Sequence, residues 1–139
     1  MMSLVVDASV VAKWFLPEIH SQAAERVLSS RKDLLAPDLV WAEVGSVLWK
    51  KARRNEITVE EADGIVKDFL RFPLQTYETK ALLNTAWDLA KRTAVNVYDA
   101  LYLALAVGQS CPLVTADRKF YEAVQKHWGS KVLWIEDVG

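Results

Sequence analysis

Four carboxylates stand in this sequence where an acid is expensive. Asp7 ends the apolar run "SLVV" and is followed at once by another, "ASVVAKWF". Glu43 lies inside "LVWAEVGSVLW", Asp99 inside "NVYDALYLALAV", and Asp117 closes "PLVTAD". At helical spacing the neighbours of Glu43 are Leu39, Val40, Ser46 and Val47, and those of Asp99 are Val95, Asn96, Tyr102 and Leu103. None of these is a base, and the nearest base to Asp7 is Lys13. A charge among apolar residues is costly unless something pairs with it. Each aspartate also has an ordinary reading. Asp7 and Asp117 can cap or flank the helices that follow them, and Asn96 can cap a helix that carries Asp99 in its first turn. Glu43 is expected beyond the first turn of its helix, where the macrodipole no longer favours an acid. Taken together, the four point to one cluster. Carboxylates brought close repel unless a divalent cation neutralises them, and an all-oxygen set suits Mg²⁺ or Mn²⁺. Asp7 then reads as a metal ligand.

The elements that would gather these acids follow from apolar period and punctuation. Met2 to Val6 is a short valine-rich run suited to burial on both faces of a sheet. Ser9 is placed to cap a helix over Val10 to Leu16 that stops at Pro17. A second helix is predicted over Ser21 to Ser30, a strand over Asp33 to Pro37, and a long helix over Asp38 to Arg54 with a basic end. "TVEE" has capping-box spacing and opens a helix that runs to Phe72 before Pro73. "LQTYE" reads as an edge strand, and helices are predicted over Thr79 to Arg92 and Val97 to Gln109. "PLVTAD" is a strand leading to a helix that reaches Trp128, and "KVLWIE" is the last strand. Strands alternate with helices throughout, which predicts an α/β domain with a mainly parallel central sheet and helices on both faces. Sites in such sheets lie outside the carboxyl ends of the strands, where strand order reverses. Asp7 and Asp117 each stand just past the carboxyl end of a strand.

Composition sets the outer bounds. A chain of 139 residues, 52% hydrophobic and 25% charged, is expected to form one globular domain over 1–139. The net charge of −1 gives no bulk basic footprint, so any contact with nucleic acid must be local. The single cysteine, Cys111, excludes a disulfide framework and a cysteine zinc site, and reads as a small buried residue. The start of the chain lacks the pattern of a signal peptide, and no apolar run approaches the ~18 residues of a membrane span. A cytoplasmic protein with no membrane contact is the expectation.

"VVDASVVAKWFLPE", the isolated acid in "APDLVWAEVGSVL", "VYDALYLALA" and "LVTADRKF" together resemble the PIN-domain family, and within it the VapC-type toxin ribonucleases of toxin–antitoxin pairs. The resemblance spans nearly the whole chain, with four motifs in the family's order. It implies a three-layer α/β/α sandwich with the first strand central. It also implies an endoribonuclease dependent on Mg²⁺ or Mn²⁺, a homodimer, and a cognate antitoxin as partner. Carried over by position, the acidic quartet falls on Asp7, Glu43, Asp99 and Asp117, and the hydroxyl-bearing positions on Ser9 and Thr115. Asp7, Asp99 and Asp117 are then the metal ligands, Glu43 either ligates a second ion or orients the attacking water, and Ser9 and Thr115 bond to the carboxylates or metal waters.

RNA needs cations to hold it. Arg118 and Lys119 follow Asp117 directly, and Lys13 lies on the helix after Asp7, so these three are the candidate phosphate contacts. Lys50, Lys51, Arg53 and Arg54 form a denser cluster that reads more simply as a solvated helix end. Trp14, Phe15 and Trp41 are apolar enough for the core but could stack on bases. His20 and His127 stand far from every motif and receive no role. Two rival readings share the fold: a housekeeping RNA-processing nuclease without an antitoxin, and a non-catalytic PIN-like binding module.

Overall fold

The computed structural model describes residues 3–16, 20–30 and 32–138. Five strands form one sheet: β1 (Ser3–Val6), β2 (Asp33–Pro37), β3 (Gln75–Tyr77), β4 (Leu113–Thr115) and β5 (Val132–Trp134). Their order is β3-β2-β1-β4-β5 and every pairing is parallel. The first strand is therefore central, and Leu4, Val5 and Val6 on it are fully buried. The chain winds outward from β1 through β2 to β3, then returns to the other side of β1 for β4 and β5. Right-handed crossovers place helices on opposite faces in the two halves. The three-layer α/β/α sandwich is the result, and strand order reverses between β1 and β4, the place where sites in such sheets form beyond the carboxyl ends.

Seven α-helices occur among the described residues: α1 (Ala8–Phe15), α2 (Ser21–Leu28), α3 (Val40–Arg53), α4 (Val59–Leu70), α5 (Thr79–Thr93), α6 (Val97–Gln109) and α7 (Arg118–Trp128). The expected capping box forms, with Thr58 and Glu61 each accepting the other's backbone N–H. Asn96 caps α6 by accepting the N–H of Asp99 at 2.8 Å. From Ala100 to Ala106 every residue of α6 is buried, since the helix lies between the sheet and α5. Trp14 stacks on Phe72 at 4.9 Å, Trp41 packs on Phe69 at 4.8 Å, and Phe15 meets both phenylalanines edge-on. These aromatics join α1 and α3 to α4 and its end. Their place is in packing.

Two helix starts differ from expectation, and each difference bears on the site. Asp7, rather than Ser9, occupies the N-cap position of α1, and it makes no side-chain cap bond. The long third helix begins at Val40 rather than Asp38, because Asp38 Oδ1 is taken by the backbone N–H and hydroxyl of Thr79 on α5. The later start puts Glu43 in the first turn of α3, where an acid is favoured by the dipole, contrary to the reading that placed it further in. The expected strand residue Met2 and the stop at Pro17 lie outside the described residues.

Candidate active site

Asp7 is 5% exposed at the carboxyl end of the central strand. Its backbone N–H donates to Val114 O on β4 at 3.1 Å, which ties it to the neighbouring strand. The hydroxyls of Ser9 and Thr115 both donate to Asp7 Oδ2 at 2.8 Å. Each hydroxyl accepts in turn a backbone N–H from the β4–α7 turn, Ser9 from Ala116 at 3.1 Å and Thr115 from Asp117 at 3.0 Å. With their acceptor sides occupied by N–H groups, both hydroxyls are oriented as donors to a carboxylate. Oδ2 takes both bonds and Oδ1 takes neither. Burial pushes the Asp7 carboxyl up to about 6, with Glu43 and Asp117 adding repulsion and the two hydroxyls opposing it.

Asp99, half-buried in the first turn of α6, is pushed up to about 7. Burial is the largest cause, followed by the charges of Asp7, Asp117 and Glu43 in that order. Glu43 is also raised by burial, against the pull of the Tyr102 hydroxyl, which donates to its Oε1 at 2.7 Å. Asp117 is exposed and caps α7, its Oδ1 accepting the N–H of Phe120 at 3.2 Å. The ordinary capping reading of Asp117 is therefore correct, and its charge still reaches Asp7 and Asp99. All four acids share one field, and among the described residues none of them forms an ion pair.

Whether the residues fit a divalent cation is decided by their oxygens. Among the described residues no three His, Cys, Asp or Glu side chains are already gathered closely enough to hold an ion. The donor set nonetheless suits a hard cation: among the described residues no hydrogen bond reaches Asp7 Oδ1 or the Asp99 carboxylate, and Asp117 commits only its Oδ1, to the cap of α7. Asp7, Asp99 and Asp117 are the residues that could hold it.

The candidate RNA contacts are placed unequally. Arg118 and Lys119 are exposed on the first turn of α7 beside Asp117. The Arg118 guanidinium lies 4.2 Å from the centroid of Trp134 and 5.6 Å from that of Tyr121, so its stem and plane are anchored while its charge stays at the rim. Lys13 sits half-buried on the last turn of α1. The basic end of α3 lies about 15 Å along the helix from Glu43, counting ten residues at the helical rise. Within it Lys51 pairs with Glu56 at 3.5 Å, which fits the solvated-end reading.

Three residues differ from or extend the sequence reading. Cys111 is half-exposed rather than buried, because it lines a cavity of about 270 Å³ with Leu103, Trp128 and Lys131 at the opposite end of β4. His20 bonds Glu136 through Nδ1 and packs edge-on to Trp134, so it serves to hold the C-terminal segment. Tyr102 was not singled out, although a tyrosine three residues after Asp99 in an all-buried helix must find a partner for its hydroxyl.

The PIN domain signature matches residues 4–126. "Ribonuclease VapC3" of Pyrobaculum aerophilum is 39% identical over 123 residues, covering 87% of this chain and 94% of the relative. Among solved structures, PAE2754 from Pyrobaculum aerophilum superposes with a TM-score of 0.69 at 22% identity, covering 97% of this chain and 85% of that one. A toxin–antitoxin complex from Klebsiella pneumoniae superposes with a TM-score of 0.67 at 14% identity, covering 94% and 96%. The signature over most of the chain, the 39% identical relative and the sheet with β1 at its centre show together that the chain belongs to the PIN-domain family, on its VapC-type branch.

Proposed function

We propose that this chain is the toxin of a toxin–antitoxin pair and acts as an endoribonuclease dependent on Mg²⁺ or Mn²⁺. The observation that carries the reading is the mutual repulsion of four carboxylates, without a base among them, around a central-strand aspartate at the point where strand order reverses. A bound divalent ion would lower the pKa of a water and offset charge on the phosphoryl oxygens. Asp7 is the anchor of that site, since two hydroxyls fix its Oδ2 and orient Oδ1. Asp99 and Asp117 complete the ligand set, and Glu43 either joins it or aligns the attacking water. Ser9 and Thr115 keep Asp7 in register with the β4–α7 turn. Arg118 and Lys119 at the rim hold phosphates of the RNA, with Lys13 a further candidate. The single domain, the homodimer and the antitoxin partner are part of this proposal, the last supported by the VapC relative and the toxin–antitoxin neighbour. No helix among the described residues is long and apolar enough to cross a membrane; a cytoplasmic location is proposed with the rest.

The test is cleavage of a panel of cellular RNAs with Mg²⁺, with Mn²⁺ and with EDTA, followed by mapping of the ends. Cleavage should depend on the metal, and Asp7→Asn and Asp117→Asn should each lose at least about 10–100-fold, by comparison with the loss of groups that support metal ligands. Full activity of Asp7→Asn in Mg²⁺ would overturn the reading.

A further inference from the structure

Glu43 has one carboxylate oxygen bound by a hydroxyl from another helix. Tyr102 is fully buried on α6, and its O–H donates to Glu43 Oε1 on α3 at 2.7 Å, bridging residues 59 apart in sequence. Packing alone does not call for this hydroxyl. A phenylalanine would fill the same space between the sheet and α5, whereas tyrosine brings a polar group that must be satisfied inside the fold. Glu43 itself is only half-buried, with no other hydrogen bond to its side chain among the described residues. Without the phenol no hydrogen bond among the described residues would fix its carboxylate.

We infer that Tyr102 is a positioning residue: by fixing Glu43 Oε1 it aims Glu43 Oε2 into the cleft, toward the cation or a water on it. The inference rests on the metal-site reading above but not on the identity of the RNA. Groups that orient the shell around a metal are commonly worth about 10–100-fold in affinity. Tyr102→Phe keeps the ring and removes only the donor.

The experiment is Mn²⁺ binding by calorimetry to wild type, Tyr102→Phe, Glu43→Ala and the double variant, each checked for native circular dichroism. Tyr102→Phe should weaken Mn²⁺ binding by about tenfold. In the Glu43→Ala background the same substitution should change nothing further, because the acceptor is already gone. Unchanged affinity in Tyr102→Phe, or losses that add in the double variant, would overturn the inference. A crystal structure of the wild type with Mn²⁺ tests it even if Tyr102→Phe does not fold. Glu43 should face the ion or its water with the phenol bond intact, and a Glu43 turned away would overturn it. Failure of the ribonuclease reading is distinct: wild type would bind Mn²⁺ yet cleave no RNA.

Discussion

Asp99→Asn should stabilise the metal-free protein at neutral and alkaline pH, although it removes a proposed ligand. Every influence on the Asp99 carboxyl raises it: burial first, then Asp7, Asp117 and Glu43. No hydrogen bond to its side chain opposes them among the described residues, so the amide loses no partner in the fold. At about 1.4 kcal/mol for each tenfold change in proton affinity, the displacement from 3.8 to about 7 sets an upper bound of about 4 kcal/mol. Asp99 keeps partial contact with solvent, and screening there roughly halves the figure, to about 2 kcal/mol. Neutralising an acid in the first turn of α6 also forfeits about 0.3–1 kcal/mol of dipole interaction. A net gain of about 1–2 kcal/mol remains, which is roughly 3–7 °C in melting temperature for a domain of this size.

The pH dependence fixes the cause. The folded state holds the Asp99 proton more tightly than the unfolded state, so the contribution of Asp99 to wild-type stability is greatest below about 3.8 and declines until pH passes about 7. The advantage of Asp99→Asn should therefore be complete at pH 8, less than half at pH 5, and absent in stronger acid. The assay is a thermal melt of both proteins in EDTA at pH 5 and pH 8, then in Mn²⁺ at pH 8. Mn²⁺ at ten times its dissociation constant should stabilise wild type by about 1.4 kcal/mol and Asp99→Asn by less. If Asp99→Asn melts below wild type in EDTA at pH 8, repulsion is not the dominant effect and Asp99 is a structural residue of the helix start.

Thr115→Val removes the buried donor to Asp7 and the acceptor of the Asp117 N–H, so chemical denaturation should show a loss of about 1–3 kcal/mol. The same variant should cleave RNA at least about tenfold more slowly, measured by gel assay at saturating metal. Wild-type protein expressed without a partner should stop growth, and Glu43→Gln should relieve the arrest at matched soluble levels in a plate and immunoblot comparison. Harmless wild type at those levels would favour the housekeeping nuclease or binding-module readings.

The fold was legible where a single local pattern decided the element. Continuous apolar runs marked β1 and β4, capping-box spacing marked the start of α4, and Asn96 marked the start of α6. It was misread where a side-chain oxygen chose a distant partner over a local one. Asp38 looked like the start of α3, but its carboxylate reaches Thr79, 41 residues on. Ser9 looked like a cap, but its hydroxyl bridges Asp7 and Ala116. Both contacts depend on which elements become neighbours, and hydrophobic period does not display that.

The same ambiguity explains how far the site could be read. Acids among apolar residues without bases were visible in the sequence, and all four do share one field. Weighing cap against ligand as alternatives, however, overlooked that a carboxylate has two oxygens. Asp117 gives Oδ1 to the N–H of Phe120, Asp7 gives Oδ2 to two hydroxyls, and Glu43 gives Oε1 to Tyr102. In each, one oxygen is tied into the fold and the other remains for chemistry. Among the described residues Asp99 alone of the four has neither oxygen tied; burial and the other three acids push it up to about 7, while two hydroxyls oppose the rise of Asp7. On the proposed metal-site reading a cation would relieve every influence that raises Asp99, so neutralising Asp99 should act oppositely on the metal-free and metal-bound states of the site.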